Sequence, residues 1–193
     1  GDGDTGKSLL VNILRDVYGA NLCGTLSFNA ISRDRSRNAD QNFDLHKCRD
    51  KKLMSIMEPP ENAKIYEPTL KSLIGTDIIT AAKKGDDELD MKITFKLFIA
   101  TNHNIVASSS DQPLWNRFLV IPMYAGYSQV DTHKYSKLSS KDNLEGILTW
   151  LIDGAYNYLN SEEYKQGLYM YIPQVYKDEL QKMKNESDLV HQW

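Results

Sequence analysis

Apolar positions recur along this chain at two periods, and the two periods divide it into elements. Leu9, Leu10, Ile13, Leu14 and Val17 fall at helical spacing with Gly19 as a stop, which predicts an amphipathic helix beginning at Lys7. Two compact apolar runs, residues 52–57 and 96–101, read as buried strands. One ends at Glu58, before Pro59 and Pro60; the other ends at Asn102. Between them, residues 68–74 predict a short helix closed by Gly75, and residues 78–82 and 91–95 predict a hairpin with the charged tip Lys83-Lys84-Gly85-Asp86-Asp87-Glu88. Residues 25–31 suit a short strand and residues 118–123 the last strand of the sheet. Residues 32–50 suit a solvated loop, with a loop touching nucleotide or DNA as the lesser reading. Past a turn-rich stretch at 125–140, Leu144, Ile147, Leu148, Leu151, Ile152, Tyr156 and Leu159 mark a helix over residues 143–159. Pro173 opens a last helix over residues 174–184, and the tyrosines of this tail read as packing groups.

The chemistry concentrates in front of the first helix. Gly1-Asp2-Gly3-Asp4-Thr5-Gly6-Lys7-Ser8 matches the phosphate-binding pattern G-x-x-x-x-G-K-[ST] at every fixed place. Glycines without a Cβ let successive backbone N–H groups turn inward around an anion. Lys7 supplies a point charge for the β and γ phosphates, Ser8 a hydroxyl for Mg²⁺, and the helix N-terminus adds its dipole. A plain Gly/Asp turn is the bland alternative, and the helix that follows directly argues against it. The pattern predicts an α/β fold: a P-loop NTPase core whose central parallel sheet is flanked by helices. Its first strand, expected before Gly1, is missing from the sequence. Residues 1–125 form the core and residues 126–193 a small C-terminal helical subdomain.

A buried strand that delivers a carboxylate at its C-terminal end is how such folds place an acid beside Mg²⁺ and the attacking water. Glu58 is the candidate for that acid, bound to Mg²⁺ through water, and Glu61 is a weaker backup. Asn102 ends the second buried strand, where an amide can hold water or touch the γ-phosphate; a turn residue is the alternative. Arg117 reads by spacing as a surface salt-bridge partner, or as an arginine reaching a neighbouring subunit's phosphate.

Composition narrows the partners. With 41% hydrophobic and 25% charged residues the chain is ordinary for a globular protein, and its net charge of −3 supplies no global basic field. Nucleic-acid contact must then come from a local patch or a ring of subunits. Cys23 and Cys48 lack metal-ligand spacing and suggest a reducing compartment, and the four histidines are scattered. No apolar run approaches a membrane span, so a soluble, cytoplasmic protein without a membrane partner is expected.

The ordered set of P-loop, strand ending in Glu58, segment 70–77 leading into the hairpin, run 97–102, and Arg117 before Phe118 resembles the superfamily 3 helicases. The nearest branch is the helicase half of phage, plasmid and large-DNA-virus primase-helicases, including the poxvirus-type NTPase/primase. Residues 144–154 and Glu186-Ser187-Asp188 resemble that branch's C-terminal segments. The resemblance implies an AAA-like core that binds ATP and Mg²⁺ and assembles as a homo-oligomeric ring, a hexamer, threading single-stranded or forked DNA beside other replication proteins. It carries over Lys7 and Ser8 as phosphate and Mg²⁺ ligands, Glu58 as the acid, Asn102 as the sensor, and Arg117 as a finger acting in trans. Lys83 and Lys84 become DNA-backbone contacts on the channel hairpin. Met57 stands where many relatives have a first acid, and Ala82 where many have a basic residue. Two other readings stay open: an ATPase that remodels protein or packages DNA without unwinding, and an ATP-binding assembly module with little turnover.

Overall fold

The computed structural model describes residues 5–32, 45–61, 63–75, 78–81, 89–107, 112–124 and 131–191. Three strands, β1 (Cys23–Thr25), β2 (Leu53–Met57) and β5 (Lys96–Ala100), form a parallel sheet in the order β1-β2-β5. Cys23 lies opposite Leu53, and Leu53 opposite Lys96. A parallel sheet buried on both faces needs nearly continuous apolar strands, and four of the five β2 residues are buried. One of the four is polar, but its hydroxyl is partnered: Ser55 donates to the Gly24 carbonyl across the strands at 3.3 Å.

Alternation along the strands directs side chains to two covers. Leu53 and Phe98 face Leu14 of helix α1 (Lys7–Tyr18), with Leu151 of α6 (Lys141–Leu159) beside them. Met54, Ile56, Leu97 and Ile99 face the larger core. That core is built from α2 (Asn29–Ser32), α3 (Glu67–Ile74), α4 (Gln112–Trp115) and the antiparallel hairpin of β3 (Ile78–Ala81) with β4 (Leu89–Lys92). The remaining elements are α5 (Lys134–Leu138), a 3₁₀ turn (Glu162–Gln166), α7 (Leu168–Tyr171) and α8 (Gln174–His191). Leu180 and Met183 of α8 pack against the larger core.

Several expectations shift. The first strand lies at Cys23–Thr25, and residues 29–32 form a helical turn, because Leu26, Ala30 and Ile31 bury together on the α3 side. The end of the expected solvated loop is not solvated, since Leu45 and Cys48 are core residues; residues 33–44 lie outside the described residues. Gly75 ends α3 with extended backbone, not in the left-handed conformation of a glycine cap. The second hairpin strand ends at Lys92, and Ile93 and Phe95 leave the ladder to enter the core. Residues 118–124 form no strand among the described residues, where a last sheet strand was expected. A helix, α5, stands inside the stretch expected as turns.

The tail differs most from its bland reading. In α6 the residues Leu144, Ile147, Leu151 and Tyr158 are half-buried, while a second apolar stripe of Leu148, Ile152, Tyr156 and Leu159 is exposed. Tyr158 packs against the rings of Tyr164 and Tyr171, but Tyr156, Tyr164, Tyr169 and Tyr171 keep between 40% and 65% of their surface in solvent. The tail tyrosines are therefore only partly packing groups.

Candidate nucleotide-binding site

Helix α1 begins where the motif requires. Gly6 stands before it with φ 85°, a left-handed conformation that glycine adopts without the cost a Cβ imposes, and its carbonyl accepts the Leu10 N–H at 2.9 Å. Among the described residues no side chain caps this N-terminus, and no acid occupies the first turn, so its N–H groups and dipole suit an anion. Lys7 Nζ donates to the Thr5 hydroxyl at 2.6 Å, a neutral partner that a phosphate oxygen can replace. Ser8 is exposed at the same helix end. Gly1, Asp2, Gly3 and Asp4 lie outside the described residues.

The sheet brings two further candidates to one edge. Met57 pairs with Ala100, so Glu58 and Asn102 leave neighbouring strands on the same side. The Glu58 N–H donates to the Ala100 carbonyl at 2.8 Å, and its φ of 48° is the left-handed region that a glutamate rarely enters. Such strain persists only where surrounding structure over-determines it, and it concentrates at functional sites. Here β5, the buried Pro59 and the turn of Pro60 onto Ala63 hold the exposed Glu58 in place. Beyond the sheet the two loops stay joined, since Val106 N–H donates to Ala63 and Ile65 N–H to Val106, both at 2.9 Å.

A cleft of about 670 Å³ opens next to these loops, lined by Glu61, Asn102, Met123 and residues of α8. Met123 also reaches the phosphate loop: its Cε stands 3.8 Å from where a Cβ on Gly6 would lie. Met123 is thus shared between the cleft wall and the turn at Gly6, although none of residues 5–8 lines the cleft itself, whose volume falls within the range of small-molecule sites. An uncapped helix end, the Lys7 ammonium, the Ser8 hydroxyl and the exposed Glu58 carboxylate are groups of the type that a nucleoside triphosphate with Mg²⁺ would need. Glu58 itself is not among the cleft-lining residues, whereas Glu61 is.

Arg117 is engaged with helix α3. Its Nη1 donates to the Lys71 carbonyl at 3.3 Å, and it makes no ion pair among the described residues. Lys83 and Lys84 lie outside the described residues. Thr5, which the motif places in the loop, is buried and holds Lys7; sequence reasoning missed Met123, for which no sequence pattern gave a signal.

The profile of DUF5906, a family of unknown function, matches residues 1–117. The chain belongs to this family. The matched part of the DUF5906 fold takes in the phosphate loop, both strand-end candidates and Arg117. No curated protein matches the chain. Among solved structures it is similar to the apo A form of the NrS-1 C-terminal region, at 20% identity over 77% and 78% of this chain with TM-scores of 0.55 and 0.57. A further apo structure of that region matches at 17% identity and a TM-score of 0.53. The chain spans about a third of the length of those structures. The likeness is one of fold, an α/β arrangement with a parallel sheet flanked by helices. No helix among the described residues is long and apolar enough to cross a membrane.

Proposed function

We propose that this chain is the ATP-hydrolysing core of a replicative DNA helicase of the superfamily 3 type, working as a ring on single-stranded or forked DNA. The observation that carries the reading is the start of α1 directly behind left-handed Gly6, together with the strained Glu58 and Asn102 just past the ends of adjoining parallel strands. The fold likeness to the NrS-1 C-terminal region is compatible with it. Lys7 and the first-turn N–H groups bind the β and γ phosphates. Glu58 orients the attacking water and takes its proton, and Asn102 donates to the water or the γ-phosphate. Ser8, and Glu58 through water, would hold Mg²⁺, which would supply neutralisation of the phosphoryl charge. Arg117 is exposed, its guanidinium engaged with a carbonyl and not a carboxylate, which suits it to the phosphates of a neighbouring subunit.

The test is steady-state ATP hydrolysis by the full-length protein with and without single-stranded DNA, beside Lys7→Ala. DNA-stimulated turnover that Lys7→Ala lowers by about a hundredfold or more is the expected result. Turnover indifferent to DNA would favour remodelling of protein or packaging of DNA. The apolar Met57 beside the single acid Glu58 favours one further reading, an assembly module that holds ATP; intact ATP surviving purification would support it.

A further inference from the structure

Helix α8 reaches back across the fold to the loop that carries Asn102. That loop is first closed on itself: Thr101 Oγ1 accepts the His103 N–H at 2.9 Å and donates to the His103 carbonyl at 2.7 Å. On one side it is sewn to the segment after Glu58, through residues 63–65 and 106. On the other side α8 holds it at two consecutive points. Asn104 Nδ2 donates to the Glu186 carboxylate, and the buried Ser187 hydroxyl donates to the Ile105 carbonyl at 3.3 Å. Lys184 adds a bond to Gln112 Oε1 at 2.6 Å, fixing the start of α4 as well. The Asn102 loop is therefore held between the Glu58 segment and the last helix.

We propose that Glu186 and Ser187 are positioning residues for Asn102, so that seating of α8 sets the geometry of the catalytic loop and links the C-terminal helices to turnover. The inference rests on the reading of Asn102 as a group that faces water or phosphate. Leu180 and Met183 seat α8 on the core, and the polar contacts of Glu186 and Ser187 fall on successive residues of the loop that follows Asn102. Hydrogen bonds to this loop fix its backbone, and a displacement of the order of 1 Å in a positioning group costs up to about a hundredfold in rate.

The experiment uses the full-length protein with Glu186→Ala, Ser187→Ala and the conservative Glu186→Gln, which keeps an acceptor for Asn104. Glu186→Ala alone removes a half-buried side chain and leaves α8 seated through Leu180, Met183 and Ser187, so it should fold. For each alanine variant the expected result is a kcat for ATP lowered roughly ten- to a hundredfold, with KM and affinity for a fluorescent ATP analogue unchanged. Glu186→Gln should restore most of kcat. Amide hydrogen exchange should accelerate at residues 102–106 and stay unchanged in β2. Unchanged kcat, or a loss carried by KM alone, would overturn the proposal, as would unchanged exchange at residues 102–106. If the unsubstituted protein does not hydrolyse ATP, the reading of the site fails, and the exchange comparison then decides by itself whether α8 holds the loop.

Discussion

Among the described residues, two that are not glycine sit in the left-handed region, Asp50 at φ 59° and Glu58 at φ 48°. Both bear a backbone cost that glycine would not, of the order of 1 kcal/mol, partly offset by the greater freedom glycine has when unfolded. Glycine at Glu58 should therefore raise stability by about 0.5 kcal/mol in denaturant titration while removing ATP turnover. Glycine at Asp50, which lies among the turns before β2, should give the same gain with turnover intact. A loss of stability in Glu58→Gly would show that the left-handed backbone is not strained. Tyr135 offers a prediction in pH. Its hydroxyl donates to Asp16 on α1 at 2.8 Å, and that carboxylate raises the phenol above its ordinary range. Because the folded-state value is the higher one, the contact's contribution is present below the ordinary tyrosine pKa near 10 and is lost as pH rises through the folded value. Comparing Tyr135→Phe with the parent by thermal melts across that alkaline range should show the difference between them vanish at the top. Cys23 follows the same logic of environment: burial pushes its thiol up, so alkylation of the native protein should be slow and should become fast on unfolding.

At the scale of elements, the Met54 side chain of β2 lies over residue 24 of β1, where there is no side chain to meet it. A Cβ there would meet the Met54 sulfur at 2.7 Å and its methyl at 2.9 Å, and Met54 is fully buried with little room to move. Gly24→Ala should cost about 1–3 kcal/mol by overpacking, measured as a fall in denaturation midpoint, and Met54→Ala in the same chain should recover part of it. β2, β5, α1 and α6 were legible because each keeps one period long enough to exceed any alternative. Local pattern failed where burial comes from distant partners. Leu26, Ala30 and Ile31 look like a strand but turn to meet α3, and Leu45 and Cys48 sit buried at the end of a polar stretch. For the site, Lys7 and Ser8 carry a motif signal and Glu58 and Asn102 a strand-end signal. The contacts of Glu186 and Ser187 span more than eighty positions of sequence, and no short-range pattern announces them. Residues 118–123 have the composition of a strand, yet composition does not supply a neighbour to pair with.

For the molecule as a whole, the ring reading makes activity depend on concentration. Arg117→Ala should abolish turnover at concentrations where subunits assemble and change nothing in dilute monomer, while the parent's specific activity should fall on dilution. Full turnover of Arg117→Ala at every concentration would remove the arginine from the site. The strand order has its own consequence, in time. β1, β2 and β5 are adjacent in space in the order of their synthesis, yet each waits for a long intervening segment before its partner exists. Such pairings incur a large loop-closure entropy, whereas α1 and the β3–β4 hairpin close locally. Pulse-labelled amide exchange during refolding should find α1 and the hairpin protected early and the β2–β5 ladder late. As the Glu58 N–H bonds to Ala100 only once that ladder is complete, the edge of the sheet that carries Glu58 and Asn102 should be among the last parts of the chain to acquire its shape.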